Sequence, residues 1–327
     1  MKKRWSVCLA APLLAIFAQG ARAADAVADY PSRPITLLVG FPAGGPADMA
    51  GRILAERLHA KWPDVRVVVE NRGGANGTIA AAQLVKADPD GYTLFLVTKS
   101  LVNAKYLYKG LTFDPARDFK PVALLLDMPN ILVVGPSVKA AGYADLEREI
   151  RAKPETFTVF SSGNGSDPHL AAAEYQEKTG LKLRHIPYKG GAQGLVDMLS
   201  GRVDMSFATL GTVMGQLAQG KARAIAIGSP KRYPLLPDVP TFAEVGVRDF
   251  EPQAWYGVMA PAKLPPALAQ KLNQAINEVM NTPQGSDALR LMGATPVNAS
   301  IDDFDKLYKH DMHESGELIE HLGLKLD

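Results

Sequence analysis

The chain has 327 residues, with 36 Lys and Arg against 34 Asp and Glu and a formal net charge of +2. That balance lacks the basic excess of a nucleic-acid binder. The single cysteine, Cys8, excludes a disulfide framework and a thiolate metal cage, so the fold must be held by its own apolar core.

The first predicted element is an export signal. MKKR is a positive n-region, WSVCLAAPLLAIFA a short apolar run, and ARA at residues 21–23 a small-residue cleavage site. Residues 1–23 are expected to be removed after Ala23; a membrane anchor is the competing reading. Cys8 lies too early for a lipidation box. Cleavage removes Lys2, Lys3, Arg4 and Arg22 and no acid, which turns the formal charge from +2 to −2. No later stretch reaches the ~18 consecutive apolar residues of a spanning helix.

After the signal, short apolar runs alternate with amphipathic patterns. ITLLVG precedes MAGRILAERLHAKW, and VRVVVE precedes TIAAAQLVKA; TLFLVT, PVALLL and NILVVG follow. Near-continuous Val/Ile/Leu runs suit strands buried on both faces of a parallel sheet, and the alternation predicts an α/β class. The pattern then repeats. YADLEREIRAK, TFTVF, LAAAEYQEKTG, RHIPY, AQGLVDMLSG, VDMSFA, GTVMGQLAQG and ARAIAIG read in turn as helix, strand, helix, strand, helix, strand, helix and strand. Residues 229–252 are Pro-rich and aperiodic, a wrapping segment. QAWYGVMAP is a strand, and the remaining patterns are helical. These patterns divide the chain into a first block over 24–127, a second over 128–228, and a tail over 229–327 expected to rejoin the first.

Two strand-to-helix turns could carry chemistry. In FPAGGPAD, residues 41–48, a glycine pair lets backbone approach a ligand, and the following helix offers unpaired N–H groups. SSGNGSDPHL, residues 161–170, repeats the arrangement in the second block. Neither fits a Walker or Rossmann fingerprint, which argues against a nucleotide phosphate and leaves a small carboxylate open; the competing reading is that glycine merely serves a strand-to-helix turn. Asp48 has two readings, a partner for a ligand amine or water and a pin for the loop. Ser166, Asp167 and His169 are too close in sequence for a hydrolase triad, and no G-x-S-x-G elbow is present; His169 is read as a capping or pocket-lining residue. His310, His313, Glu314, Glu317 and His321 could ligate a metal but read as a solvated helix face. His59 and His185 are isolated and carry no signal.

YPSRPITLLVGFPAGGPAD, PDGYTL, SSGNGSDPHLAAAEYQ, HIPYKGGAQGLVDMLSGRVDMSF and DVPTFAEVGV, in this order, resemble the Bug family, the TctC-like periplasmic substrate-binding proteins of tripartite tricarboxylate transporters. The resemblance spans nearly the whole chain after the signal. It implies a Venus-flytrap: two α/β domains, each a mostly parallel sheet flanked by helices, joined by two crossing hinge strands. It places the chain in the periplasm as an expected monomer, without cofactor or catalysis, that hands a carboxylate to a membrane permease. A sensing role beside a membrane kinase and an enzyme on the same fold are the alternatives. Carried over residue by residue, the first turn supplies Phe41, Pro42, Ala43, Gly44, Gly45 and Asp48, and the second Ser161, Ser162, Gly165, Ser166 and Asp167. Thr98 and Asp204 match positions that reach the cleft. Two departures stand out. RGGANGT replaces the usual R-P-G-A-G-G-N, with Gly73 for the Pro and Asn76 for the second Gly of the pair, so the loop is either more mobile or presents an amide to the cleft. Lys99 is the other, either a partner for a second acidic group on the ligand or a solvated lysine at the rim.

Overall fold

The computed structural model describes residues 27–324; the signal segment, with Cys8, lies outside the described residues. The first block runs β1 (Ile35–Val39), α1 (Pro46–Lys61), β2 (Val67–Asn71), α2 (Thr78–Val85), β3 (Thr93–Thr98), α3 (Ser100–Leu107) and into β4 (Phe119–Val134). The second follows as α4 (Tyr143–Ala152), β5 (Thr158–Ser161), α5 (Asp167–Thr179), β6 (Arg184–Pro187), α6 (Gly191–Leu199), β7 (Met205–Thr209), α7 (Leu210–Ala218) and β8 (Arg223–Ile227). The chain closes with β9 (Gln253–Pro261), α8 (Pro266–Met280), α9 (Pro283–Leu291), β10 (Thr295–Pro296) and α10 (Ile301–His321).

The strands follow the order β2-β1-β3-β9-β4-β7-β5-β6, with β8 and β10 also pairing β4. In the first block β2, β1 and β3 are parallel. Ile35, Leu37, Leu38 and Val39 are buried because helices cover both faces. On one face α1 packs Ala47, Ala50, Leu54 and Leu58, residues three and four apart that share one helix side. On the other, α2 packs Ala80, Ala81 and Leu84. The turn before α2 lies close to the end of β1: a Cβ on Gly40 would fall 2.5 Å from Gly77 Cα, and Gly77 takes a φ of +88°. Only glycine fits both positions.

In the second block β6, β5 and β7 are parallel. Tyr175, Phe207, Phe242 and Phe250 form its aromatic core. Phe242, Val247 and Phe250 come from the Pro-rich segment after β8, so residues 229–252 pack on the second block and the chain re-enters the first sheet only at Gln253. The expectation that the chain leaves the second block at residue 229 is corrected by that packing. The apolar residues concerned have neither a 2- nor a 3.6-residue period, so pattern alone could not assign them.

PVALLL and NILVVG, read as two strands, are one. β4 pairs with β9 up to Pro129 and with β7 from Asn130 onward. The second crossing lies against it: Asn130 N donates to Pro252 O at 2.9 Å, and Gly228 N donates to Asn130 O at 2.8 Å. A Cβ on Gly228 would lie 2.3 Å from Pro252 O. Gly228→Ala should therefore cost about 1–3 kcal/mol, read as a lower urea midpoint with an unchanged slope.

Candidate functional site

In a parallel sheet every strand-to-helix turn leaves from the same edge. Five such turns meet here. A cavity of ≈ 170 Å³ between the blocks is lined by the starts of α1 (Gly45, Pro46, Ala47), α3 (Ser100), α5 (Ser166, Asp167, Pro168), α6 (Gly190, Gly191, Ala192, Gln193) and α7 (Thr209, Thr212). Phe41, Pro42, Ala43, Thr98, Ser162 and Tyr256 complete it. Its lining has no Lys, Arg or His. The first N–H groups of each helix lack an intrahelical acceptor, and each helix start carries partial positive charge.

The first turn is held from behind. Asp48 is 3% exposed. Its Oδ2 accepts from Gly44 N at 2.9 Å and Arg52 Nε at 2.9 Å, and its Oδ1 from Asn71 Nδ2 at 3.0 Å. Burial pushes the Asp48 carboxyl up, but the bonds from Arg52, Gly44 and Asn71 outweigh it and hold the group below its ordinary range. Of its two readings, the geometry is that of a loop pin. Gly44, with φ +83°, gives its N–H to this pin and does not line the cavity.

The second turn is braced in the same way. Gly163 and Gly165 take positive φ, +135° and +78°. Ser161 Oγ and Ser166 Oγ both donate to Gly163 O, at 3.0 and 2.7 Å. Gly165 N donates to His169 Nδ1 at 3.0 Å. Ser166 and His169 are thus engaged with the turn. His169 stacks on His185, centroids 4.1 Å apart, and His185 Nε2 meets Ser161 Oγ at 2.6 Å. Burial drives His169 down to about 4. Burial and then the neighbouring His169 drive His185 to about 3. Both rings are neutral at neutral pH. Ser161 and Gly165 stand behind the cavity wall; Ser162, Ser166 and Asp167 face it.

Asp204 does not reach the cleft. It precedes β7, at the opposite edge of the sheet, and its Oδ2 accepts from Thr158 N and Oγ1 at 2.8 and 2.7 Å. The sequence reading placed it by the helix before it, whereas the strand after it sets the edge. Lys99 also lies outside the cleft lining; its Nζ is 3.5 Å from Asp311 Oδ2 on α10. Asp311 Oδ2 accepts in turn from Trp255 Nε1 at 2.5 Å. Sequence reasoning missed the α6 turn, although KGGA after RHIPY shows the same glycine-pair signal. Ser100, Thr209, Thr212 and Tyr256 offered none. Among the described residues no three His, Cys, Asp or Glu side chains gather into a metal cage.

The blocks touch across the cleft mouth. Asn103 Nδ2 donates to Gly165 O at 3.0 Å, Tyr108 Oη to Asn164 O at 3.3 Å, and the Asn76 amide to Asn164 O. Asn76 thus presents its amide to the facing turn, from a backbone at φ +53°.

A model of the TctC family, the tripartite tricarboxylate transporter family receptor, matches residues 51–324. BugT of Bordetella pertussis is 34% identical over 299 residues, covering 91% of this chain and 91% of that protein. Among solved structures, R. palustris Rpa4515 with adipate superposes with a TM-score of 0.88 at 32% identity, over 91% of this chain and 100% of that one. MatC (Rpa3494) from Rhodopseudomonas palustris, with bound malate, gives 0.83 at 26%, over 89% and 100%.

The stacked histidines make a pH prediction. A depressed histidine supplies stability above its ordinary value of 6.5 and loses it as pH falls toward about 4, because the unfolded chain takes up the proton first. Burial of Asp167 acts in the opposite sense, since its folded value is raised to about 6 and the folded chain protonates first. A His169→Gln variant isolates the histidine. Between pH 6.5 and about 4 it should lose about 1–3 kcal/mol less than the wild type, measured by urea titration at each pH.

Proposed function

This chain belongs to the TctC family of tripartite tricarboxylate transporter receptors, and we propose that it captures a small carboxylate in the periplasm between its two blocks and delivers it to a membrane permease. One observation carries the reading: five helix starts converge on one cleft whose lining holds no basic side chain. Such a cleft attracts an anion by backbone alone. A carboxylate accepts charge-assisted bonds from N–H groups, roughly twice as strong as neutral ones. The carboxylates bound by Rpa4515 and MatC, adipate and malate, support the same class here.

In this reading the two blocks are the domains of a clamp, and the molecule works as a monomer without catalysis. Phe41, Pro42, Ala43 and Gly45 approach the ligand from the first turn, Ser162, Ser166 and Asp167 from the second, and Thr98 from the strand end between them. Each block alone offers half a site. Only the closed form makes both sets of contacts, so ligand shifts the population toward closure.

Thermal unfolding of residues 24–327 against acids and their matched amides tests the reading. An acid at ~100 times its dissociation constant should add about 2.7 kcal/mol, and its amide should add little. Amides that stabilise as well as their acids would refute the carboxylate clamp. For the acid that binds, Asn103→Ala should weaken affinity about 10-fold by calorimetry, because the closed form loses the bond to Gly165 O and leaves that carbonyl unpaired.

A further inference from the structure

One side chain lining the cleft carries a formal charge, and it is negative. Asp167 opens α5 and is 8% exposed. Its neighbours leave it under-compensated. Asn103 Nδ2 stands 3.5 Å from Oδ1, a long contact. Lys99 and then the Ser100 hydroxyl favour its ionised form and Asp311 on α10 disfavours it, while the Lys99 ion pair is with Asp311, Nζ 3.5 Å from Oδ2. From β9, Tyr256 is pushed up by burial and then by the Asp167 charge, so its hydroxyl stays protonated. Burial raises Asp167 to about 6, which leaves it mostly ionised at neutral pH.

A buried anion disfavours a second anion in the same ≈ 170 Å³ cavity. The helix starts favour a carboxylate; Asp167 opposes one unless the ligand also brings a positive donor. A zwitterion meets both demands. Its carboxylate takes the N–H groups, and its ammonium takes the Asp167 oxygen.

We propose that Asp167 sets the specificity of the cleft by accepting a hydrogen bond from a ligand ammonium, so that the captured acid is an amino acid rather than a plain carboxylic acid. The proposal rests on the carboxylate reading above and narrows it.

Calorimetry on protein unfolded, dialysed and refolded to remove carried ligand tests it. The probes are matched sets: 2-aminoadipate with adipate, and aspartate with malate and succinate. The wild type should bind an amino acid ~10-fold or more tighter than its deamino counterpart. In Asp167→Asn the gap should close from both sides, as the amino acid loses affinity and the deamino acid gains it. Lowering the pH from about 7.5 to about 5 should narrow the gap in the wild type and leave the variant unchanged, since protonation removes the Asp167 charge. A deamino acid that binds the wild type as well as its amino acid, or a gap that survives in the variant, would overturn the proposal while the carboxylate clamp stands. Malate equal to aspartate would overturn the ammonium assignment in favour of a hydroxyl. Amides equal to every acid, or no binding by any member, would instead overturn the clamp itself. Deamino-acid affinity kept or raised in Asp167→Asn shows that the variant is folded; should it be lost, Asp167→Ser takes its place under the same criteria.

Discussion

The unpaired N–H groups at the starts of helices organise this molecule. Each helix leaves its first donors without an intrahelical acceptor, and parallel strands send their following helices off the same sheet edge. The starts of α1, α3, α5, α6 and α7 therefore meet in one place. The field in the cleft is a product of topology before it is a product of side chains. What the side chains add is rigidity. Asp48 consumes the Gly44 N–H, and His169 consumes that of Gly165. Both turns are held from behind while their front donors stay free.

The same sheet explains how two halves of a site become one. β4 belongs to both blocks, and the return crossing lies hydrogen-bonded along it at Asn130. These two crossings are the chain's covalent links between the blocks. On the far side of the cleft the blocks meet through an apolar group, Leu107, Leu170 and Ile319, and through polar contacts. Asn76, Asn103 and Tyr108 reach carbonyl oxygens of the facing turn. A bond of this kind contributes only about 0.5–1.5 kcal/mol net when made, and more is lost when a buried partner is left unpaired, as Gly165 O would be without Asn103.

The sequence exposes what depends on local chemistry and hides what depends on long-range pairing. The two turns are legible because glycine is needed where backbone bends to positive φ or meets other backbone, as at Gly44, Gly163 and Gly165. The buried runs of β1 and β3 are legible for a similar reason, since burial on both faces leaves no polar positions. Asp204 misleads because its distance from a glycine turn says nothing about which end of a strand it flanks. Tyr256 carries no signal at all: it faces the cleft because β9 crosses back beside β3, a pairing between segments more than 150 residues apart. The joining of PVALLL and NILVVG into β4 is hidden likewise, since Pro129 reads as a break although its position at the junction of two sheets allows the strand to pass.

Why the cleft uses backbone donors rather than arginine follows from the empty state. A guanidinium buried in an unliganded closed cleft would lose its hydration without a partner, a large penalty. Peptide N–H groups are already fixed by the helices behind them, so they lose no rotamer freedom when a ligand arrives, and their desolvation is cheaper. An empty cleft lined this way carries only a modest desolvation penalty. The exception is Asp167. A single ionisable acid among neutral donors is retained against its own desolvation, and burial raises its pKa as a result. In a cleft otherwise lined by neutral groups, Asp167 is the one that incurs that penalty.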